Sequence, residues 1–492
     1  MHLDNIRSMH ESVSKELGMD IIIVSAENAL QEAFWQKHLE SLLGNFIKRA
    51  TKVIAVCEDW PGGAGNGLGT LYAYQKARQK CLRLHGIDLY ELQKSGYSIA
   101  LYHTAGQGKR LSPLTSSENN NKSSVKLPGF INEPSNYMTL LDAVIKQTAI
   151  FAPLRKGRLS VFWSDQIFIP SLSLCPPNSH VEILGILDCF PSQEQWKKEG
   201  WENFGLIGNT PQAVPQLMEK ESFDTVQHLV KENKLLSSSM GRSLGSFSLS
   251  APLTHALLEL FHEELEDKKE KMDSDPFFWM PATLDHSTYL SSMVKKNHSK
   301  EKASSHYLRM EKFKQAFTQK HSTLDFFGVA NLGKNCLWWD FGTVDSYFKN
   351  LLKLTENNKE GEAFRNFLDL KLDLSTCSVI HKSKVLTGSV KNSVVVGSHS
   401  EELSINNCVI LNSDLGKANG INCLLYNVSE KSSLELKEKT IRADVFLKDR
   451  HLELTTQLGR DGKEDWNQKL PENSHSYEEV YHLNNDKTSL KL

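Results

Sequence analysis

Apolar and polar positions along the first half of the chain fall into two alternating textures. Short runs of consecutive apolar residues are separated by stretches in which apolar residues recur every three or four positions. Asp20–Val24 (DIIIV), Thr51–Cys57 (TKVIAVC), Tyr97–His103 (YSIALYH), Leu159–Trp163 (LSVFW) and His180–Leu187 (HVEILGIL) read as buried strands. Between them, Ala26 to about Arg49 brings Leu30, Phe34, Leu39 and Leu42 to one helical side, and residues 71–84 and 138–151 read as further helices. Strands alternating with helices predict an α/β fold on a mainly parallel sheet, with ligands at the carboxyl ends of the strands.

Two later stretches break this rhythm. Residues 263–320 are charged and helical around one apolar island, PFFWMPATL, and read as a surface insertion, with a lid or an intersubunit contact as the sharper alternative. From 374 to 446, short β-branched pieces (SVI, SVVVG, CVILNS, INCLLYNV) recur between polar corners, the pattern of stacked short strands. Residues 459–492 are polar and charged, and the pattern predicts a peripheral tail.

Composition narrows the function. Lys and Arg number 57 against 59 Asp and Glu in 492 residues, a formal charge of −2. Such a balance argues against a nucleic-acid-binding surface or a polybasic membrane anchor, but not against a local basic pocket. No apolar run approaches the ~18–20 residues of a membrane span, and the first residues hold no apolar signal core. The eight cysteines are scattered, as expected for reduced thiols in a cytoplasmic protein.

The richest chemistry lies in His103–Gly129, HTAGQGKRLSPLTSSENNNKSSVKLPG. The chain leaves a predicted strand, turns through Gly106 and Gly108, and presents Lys109 and Arg110, with Lys126 in reach. Glycines let backbone N–H groups approach phosphate oxygens, and the cations neutralise phosphate charge.

AGQGKRLSPLT resembles the glycine-rich basic loop of the sugar-1-phosphate nucleotidyltransferases (nucleotide-sugar pyrophosphorylases), and Lys126-Leu127-Pro128 resembles the Lys-Pro that closes it. That family starts the loop with two glycines where this chain has Ala105-Gly106. Val161–Asp165 (VFWSD) resembles the strand ending in the magnesium-binding Asp. Asn203–Lys220 resembles the stretch that ends in Glu-Lys, and Trp338–Thr343 (WWDFGT) with Tyr347 resembles the motif of the second metal ligand. The resemblance implies a Rossmann-like sheet over residues 1–360, followed at 374–446 by a left-handed β-helix-like domain. It implies Mg²⁺ on Asp165 and Asp340, sugar and sugar phosphate on Glu219 and Lys220, and triphosphate contacts from Ala105, Gly106, Gly108, Lys109, Arg110 and Lys126. Association of copies through the C-terminal domain is a further expectation.

One element is out of the family's order. Its base-binding loop follows the basic loop, whereas here the matching unit, Trp60–Ala77 (WPGGAGNGLGTLYAYQKA), precedes it. Five of the chain's 29 glycines lie in residues 61–70. Gly67, Gly69 and Thr70 resemble the base contacts. The order implies a circularly permuted catalytic domain, which termini lying close together permit, and resembles that of the GDP-fucose pyrophosphorylase branch. The expected activity is transfer of a nucleotidyl group from a nucleoside triphosphate to a sugar-1-phosphate. A catalytically degenerate, ligand-binding or regulatory relative is the alternative. An acyltransferase is weakly supported, since His381 and His399 read as surface residues.

Overall fold

The computed structural model describes residues 1–131 and 136–485. After an N-terminal helix α1 (His2–Ser14), the chain runs β1 (Ile21–Ala26), α2 (Ala29–Ser41), β2 (Lys52–Cys57), α3 (Gly65–His85) and β3 (Ile99–His103). It continues through β4 (Lys126–Phe130), β5 (Tyr137–Thr139), a helix over Leu140–Thr148, β6 (Arg158–Trp163), β7 (Gln166–Ile169) and β8 (Ser179–Asp188). Strands β9 (Gly205–Asn209), β10 (Pro215–Glu219), β11 (Met240–Ser250), β12 (Asp325–Asn331) and β13 (Leu337–Asp340) complete the α/β region. The five strands expected from the sequence are β1, β2, β3, β6 and β8.

Strands β2, β1, β3 and β6 lie side by side and parallel. All six residues of β1 are buried, as a central strand covered on both faces requires. Beyond β6 the sheet changes character. Strand β11 joins antiparallel, with β6 and β9 on successive parts of one side and β8 along the other, β12 parallel to β8, and β10 at the edge on β9. The expected parallel sheet therefore holds for the half that carries the Gly-rich loops. The other half is opened by β11, whose sequence MGRSLGSFSLS is too rich in Ser and Gly to read as a buried strand.

Two expectations about the periphery fail. The segment 263–320 is not confined to the surface: Leu265, Met272, Phe278, Trp279, Met310 and Phe317 are buried in one cluster with Ile21, Ile23 and Val161 of the sheet. The apolar island packs there with Leu68, Leu71, Leu253 and Leu257, covering that face of the sheet. The helix α3 starts at Gly65 rather than near 71, because this insertion closes on its first turn: Gly67 N–H donates to Met272 O at 2.9 Å. A Cβ on Gly65 would lie 2.7 Å from the Met272 backbone. The tail is also folded in large part. Trp466, Leu470, Tyr477 and Val480 are buried against Val445, Leu447, Leu452 and Leu454, and Tyr477–Asn485 is a helix. Its few apolar residues are spaced to meet one surface, which average polarity conceals. Residues 486–492 of the expected tail lie outside the described residues.

Between these, short parallel strands stack in two sheets. Val379 pairs with Val394, Val394 with Val409 and Val409 with Leu424. Ser393 N–H donates to Ser378 Oγ and Cys408 N–H to Ser393 Oγ, each 15 residues apart. Asn392, Asn407, Asn412, Asn422 and Asn427 take positive φ at corners, a conformation Asn tolerates better than other side chains. One face of the stack (Val379, Val394, Val409, Leu424) shares a continuous core with Tyr102, Phe162 and Tyr347 of the α/β region.

Candidate active site

Four adjacent parallel strands end at one cavity of about 880 Å³. Glu27 follows β1, Glu58 and Trp60 follow β2, Ala105–Leu111 follow β3 and Asp165 follows β6, and all line it. This is the crevice that a parallel α/β sheet offers to ligands. Gly62, Gly63, Gly65 and Asn66 form one wall, Gly106, Gln107, Gly108, Lys109 and Arg110 another, and Lys122 and Gly342 close the base.

The loop after β3 is pinned at its root. Thr104 and Ala105 N–H groups both donate to Ser25 O, at 3.0 and 2.8 Å. The Ala105 amide is thereby spent on the neighbouring strand, which removes it as the phosphate contact the resemblance implied. Gly106 has φ +106°, and a Cβ there would face open space. Gly108, at φ +60°, is required for another reason: a Cβ would lie 2.8 Å from Lys122 Cβ and 2.9 Å from Thr115 Cγ2. The missing side chain lets Lys122 cross beneath the loop.

Lys122 reaches Asp165, with Nζ 3.3 Å from Oδ2. Asp165 is held at a corner between β6 and β7, where its carbonyl accepts from Phe341 N–H at 2.8 Å. Asp340 ends β13, which pairs antiparallel with β7. A Cβ on Gly342 would sit 3.0 Å from Asp340 Oδ1, 3.6 Å from Arg110 Nη2 and 3.9 Å from Asp165 Oδ2. Two carboxylates and a guanidinium thus converge where the chain carries no side chain. Burial, and then the charge of Asp165, raise the Asp340 carboxyl above the usual carboxylate range, while Gly342 N–H, Arg110 and Lys122 oppose the rise. Two like charges in one corner suit a cation with oxygen ligands. Among the described residues no group of three or more His, Cys, Asp and Glu side chains forms a metal cage. Mg²⁺ commonly takes only one or two protein carboxylates and completes its shell with phosphate and water.

Other expected residues lie elsewhere. Lys126 points away from the cavity. Its ammonium pairs with Glu118, under the Tyr426 ring at 5.5 Å. Glu118 also accepts from Tyr426 O–H at 2.7 Å and Asn427 Nδ2 at 2.9 Å. Lys126 begins β4, which leads the chain off toward the stacked strands, so it is a junction residue and Lys122 takes the cavity position. Gly67, Gly69 and Thr70 lie inside α3 rather than on the cavity wall. The Gly67 amide is used by Met272, Gly69 makes room for the Glu58 carboxylate, and Thr70 Oγ1 meets Asn66 O at 2.7 Å and His103 Nε2 at 2.8 Å. The open positions are Gly62 and Gly63, at φ +77° and +82° with nothing near a Cβ, beside Trp60, whose buried indole N–H has no partner.

Glu219 and Lys220 are adjacent at the end of β10, with Nζ 3.5 Å from Oε1. They do not line the cavity but lie beside its insertion wall. Burial, and then the charge of Glu219, push the Asp275 carboxyl up to about 7. Two residues earlier, Asp273 lines the cavity and its Oδ1 accepts from Asn66 N–H at 2.9 Å. His103 is buried beneath the site, stacked on Trp163 at 5.0 Å; burial, with Lys122 nearby, pushes it down to about 3, so it stays neutral.

Sequence patterning missed Lys122, Lys271, Asp273 and Lys463, which also line the cavity. Lys122 carried a signal, lying four residues before the chosen lysine in the same segment. The other three come from the insertion and the tail and had none. The chain matches no family model and no curated protein. No helix among the described residues is long and apolar enough to cross a membrane.

Proposed function

We propose that the protein is a sugar-1-phosphate nucleotidyltransferase with a permuted catalytic domain. The observation that carries this is the meeting of two Gly-rich loops, Arg110, Lys122, Asp165 and Asp340 at the carboxyl ends of four adjacent parallel strands. The strand order β2-β1-β3-β6 is the 3-2-1-4 order of dinucleotide-type folds when β3 is counted first. That supports a Rossmann-like sheet whose first strand is β3, with the strand–helix–strand unit of β1 and β2 moved ahead of it. Parallel rungs at 15-residue spacing support a left-handed β-helix at 374–446.

In this reading a sugar-1-phosphate oxygen attacks the α-phosphate of a nucleoside triphosphate in line, the P–O bond to the β-phosphate breaks, and pyrophosphate leaves. Both entering and leaving groups are anions, so positioning and charge neutralisation dominate. Arg110 and Lys122 neutralise charge on the transferring phosphoryl group. Gly106 and Gly108 allow close approach of the phosphates. Gly62 and Gly63 offer an open, side-chain-free wall for a base, beside Trp60. Asp165 and Asp340 would hold Mg²⁺, which supplies further neutralisation at phosphate oxygens when bound. Glu219 and Lys220 take the sugar phosphate only if a bound sugar extends past the insertion wall.

Pyrophosphate release across a panel of nucleoside triphosphates and sugar-1-phosphates, with magnesium, tests the proposal. Release with one pair, lost by two or more orders of magnitude in Asp165→Ala, is expected. Triphosphate binding without release from any pair would favour a ligand-binding relative instead.

A further inference from the structure

The tail does more than fold back: it closes the cavity beside the basic loop. Gly462 passes so near that a Cβ would lie 2.4 Å from Lys109 O and 3.2 Å from Ser112 O. Gly459 N–H donates to Asp345 Oδ1 at 2.8 Å, and Arg460 forms a two-pronged pair with Asp465 at 2.7 and 2.6 Å. Further on, Tyr481 O–H donates to Glu27 Oε1 at 2.7 Å and Asn484 Nδ2 to Ser116 O at 2.8 Å. These contacts fix the backbone on both sides of Lys463, whose own N–H donates to Asp461 Oδ1 at 2.8 Å.

Lys463 lines the cavity, and its ammonium has no hydrogen-bond or ion-pair partner among the described residues. Lys109, the expected phosphate contact in the loop itself, lines the same cavity and has its ammonium over the Trp466 ring at 4.5 Å. The tail therefore holds one loop lysine on an aromatic face and presents another cation from outside the loop. We infer that the C-terminal segment completes the nucleotide pocket and that Lys463 binds the phosphates of the nucleoside triphosphate. This rests on the function proposed above. It makes the triphosphate site depend on a residue more than 350 positions downstream of Arg110.

The test is full-length Lys463→Ala and Lys463→Arg. A charge-assisted hydrogen bond lost from an accessible site raises the KM for triphosphate about tenfold or more. The KM for sugar-1-phosphate and the thermal midpoint stay unchanged, and Lys463→Arg recovers most of the affinity. A merely structural role would move the midpoint and would not be rescued by charge. An unchanged triphosphate KM in Lys463→Ala, with an active parent, overturns the inference and leaves the proposed function intact. If the parent turns over no pair, calorimetric titration with magnesium and each triphosphate decides: about tenfold weaker binding in Lys463→Ala supports the inference. Equal binding, or none by the parent, overturns it.

Discussion

Replacing Lys122 and Lys126 separately by Ala should split activity from stability. Lys122 Nζ lies 3.3 Å from Asp165 Oδ2, and both side chains are about a fifth exposed (20% and 21%). At that separation the gross Coulomb attraction is ~5 kcal/mol for an effective dielectric of ~20. Most of it is offset by desolvation, and single preorganised donors at reacting charges are worth about 2.7–4 kcal/mol. Lys122→Ala should therefore lower kcat by about 10²–10³-fold. It should leave the fold intact, since Asp165 keeps access to water through the cavity. Lys126 is different. Its partner Glu118 retains two donors, Tyr426 O–H and Asn427 Nδ2, so Lys126→Ala removes one of three supports from a carboxylate largely shielded from water. That costs about 1.5–3 kcal/mol of stability, with kcat kept within about threefold, well short of a lost reacting-centre donor. Steady-state pyrophosphate release and urea unfolding, read on the same preparations, separate the two. A folded Lys126→Ala protein that has lost a hundredfold in rate, beside a Lys122→Ala protein that has not, would refute the assignment.

Three further outcomes follow from the geometry. Gly108→Ala should lower stability by about 1–2 kcal/mol from the positive φ alone; because the new methyl meets Lys122 Cβ, turnover should fall at least tenfold, and an active, stable variant would argue against Lys122 crossing there. Tyr426→Phe should lower the unfolding free energy by about 1–2 kcal/mol, since its hydroxyl both donates to Glu118 and accepts from Lys126 N–H; an unchanged midpoint would show that the junction is not held there. Asp275, pushed up to about 7 in the folded state, favours folding fully below its unfolded value near ~3.9, and that contribution is lost as pH rises to about 7. Thermal midpoints of Asp275→Asn should fall less than the parent's between pH 4 and 8, and parallel profiles would refute the shift.

What the sequence revealed follows from how each part earns its place in the fold. Strands β1, β2, β3 and β6 are buried on both faces, so their apolar runs stand out. Strand β11 is equally central but intersperses its apolar residues with Ser and Gly, and the antiparallel pairing of β8 stayed hidden with it. The loop after β3 was legible because glycine and basic residues are rarely combined without reason. Choosing between Lys122 and Lys126 needed geometry: a tight turn over Lys122–Ser124 sends the two lysines to opposite sides of the chain, and no spacing rule applies in an irregular segment. Gly67, Gly69 and Thr70 were displaced because α3 begins earlier than its apolar pattern, under cover of Met272. Asp273 and Lys463 sit in charged stretches where a binding residue and a solvated one look alike.

The placement of the C-terminal third suggests why so irregular a loop can serve a site that depends on positioning. Residues 104–122 hold no strand and only short helical turns at Lys109–Leu111 and Leu114–Ser117, yet three regions grip them. Ser117 Oγ donates to Asp444 O, Glu118 is held by Tyr426 and Asn427, and Asn120 Nδ2 donates to Tyr481 O at 2.8 Å. Gly462 lies against Lys109 and Ser112, and Ser25 O takes the amides at the loop's root. Ordering such a loop only when substrate arrives would use up binding free energy of roughly 1–2 kcal/mol per residue fixed. A loop already held by the stacked strands and the tail leaves that energy for the transition state. Backbone amides of 109–122 should therefore exchange with solvent deuterium nearly as slowly as those of the adjoining strands, in the absence of any nucleotide. Exchange as fast as in an unstructured surface loop would mean the grip is too weak to preorganise anything, and the C-terminal third would then need another explanation.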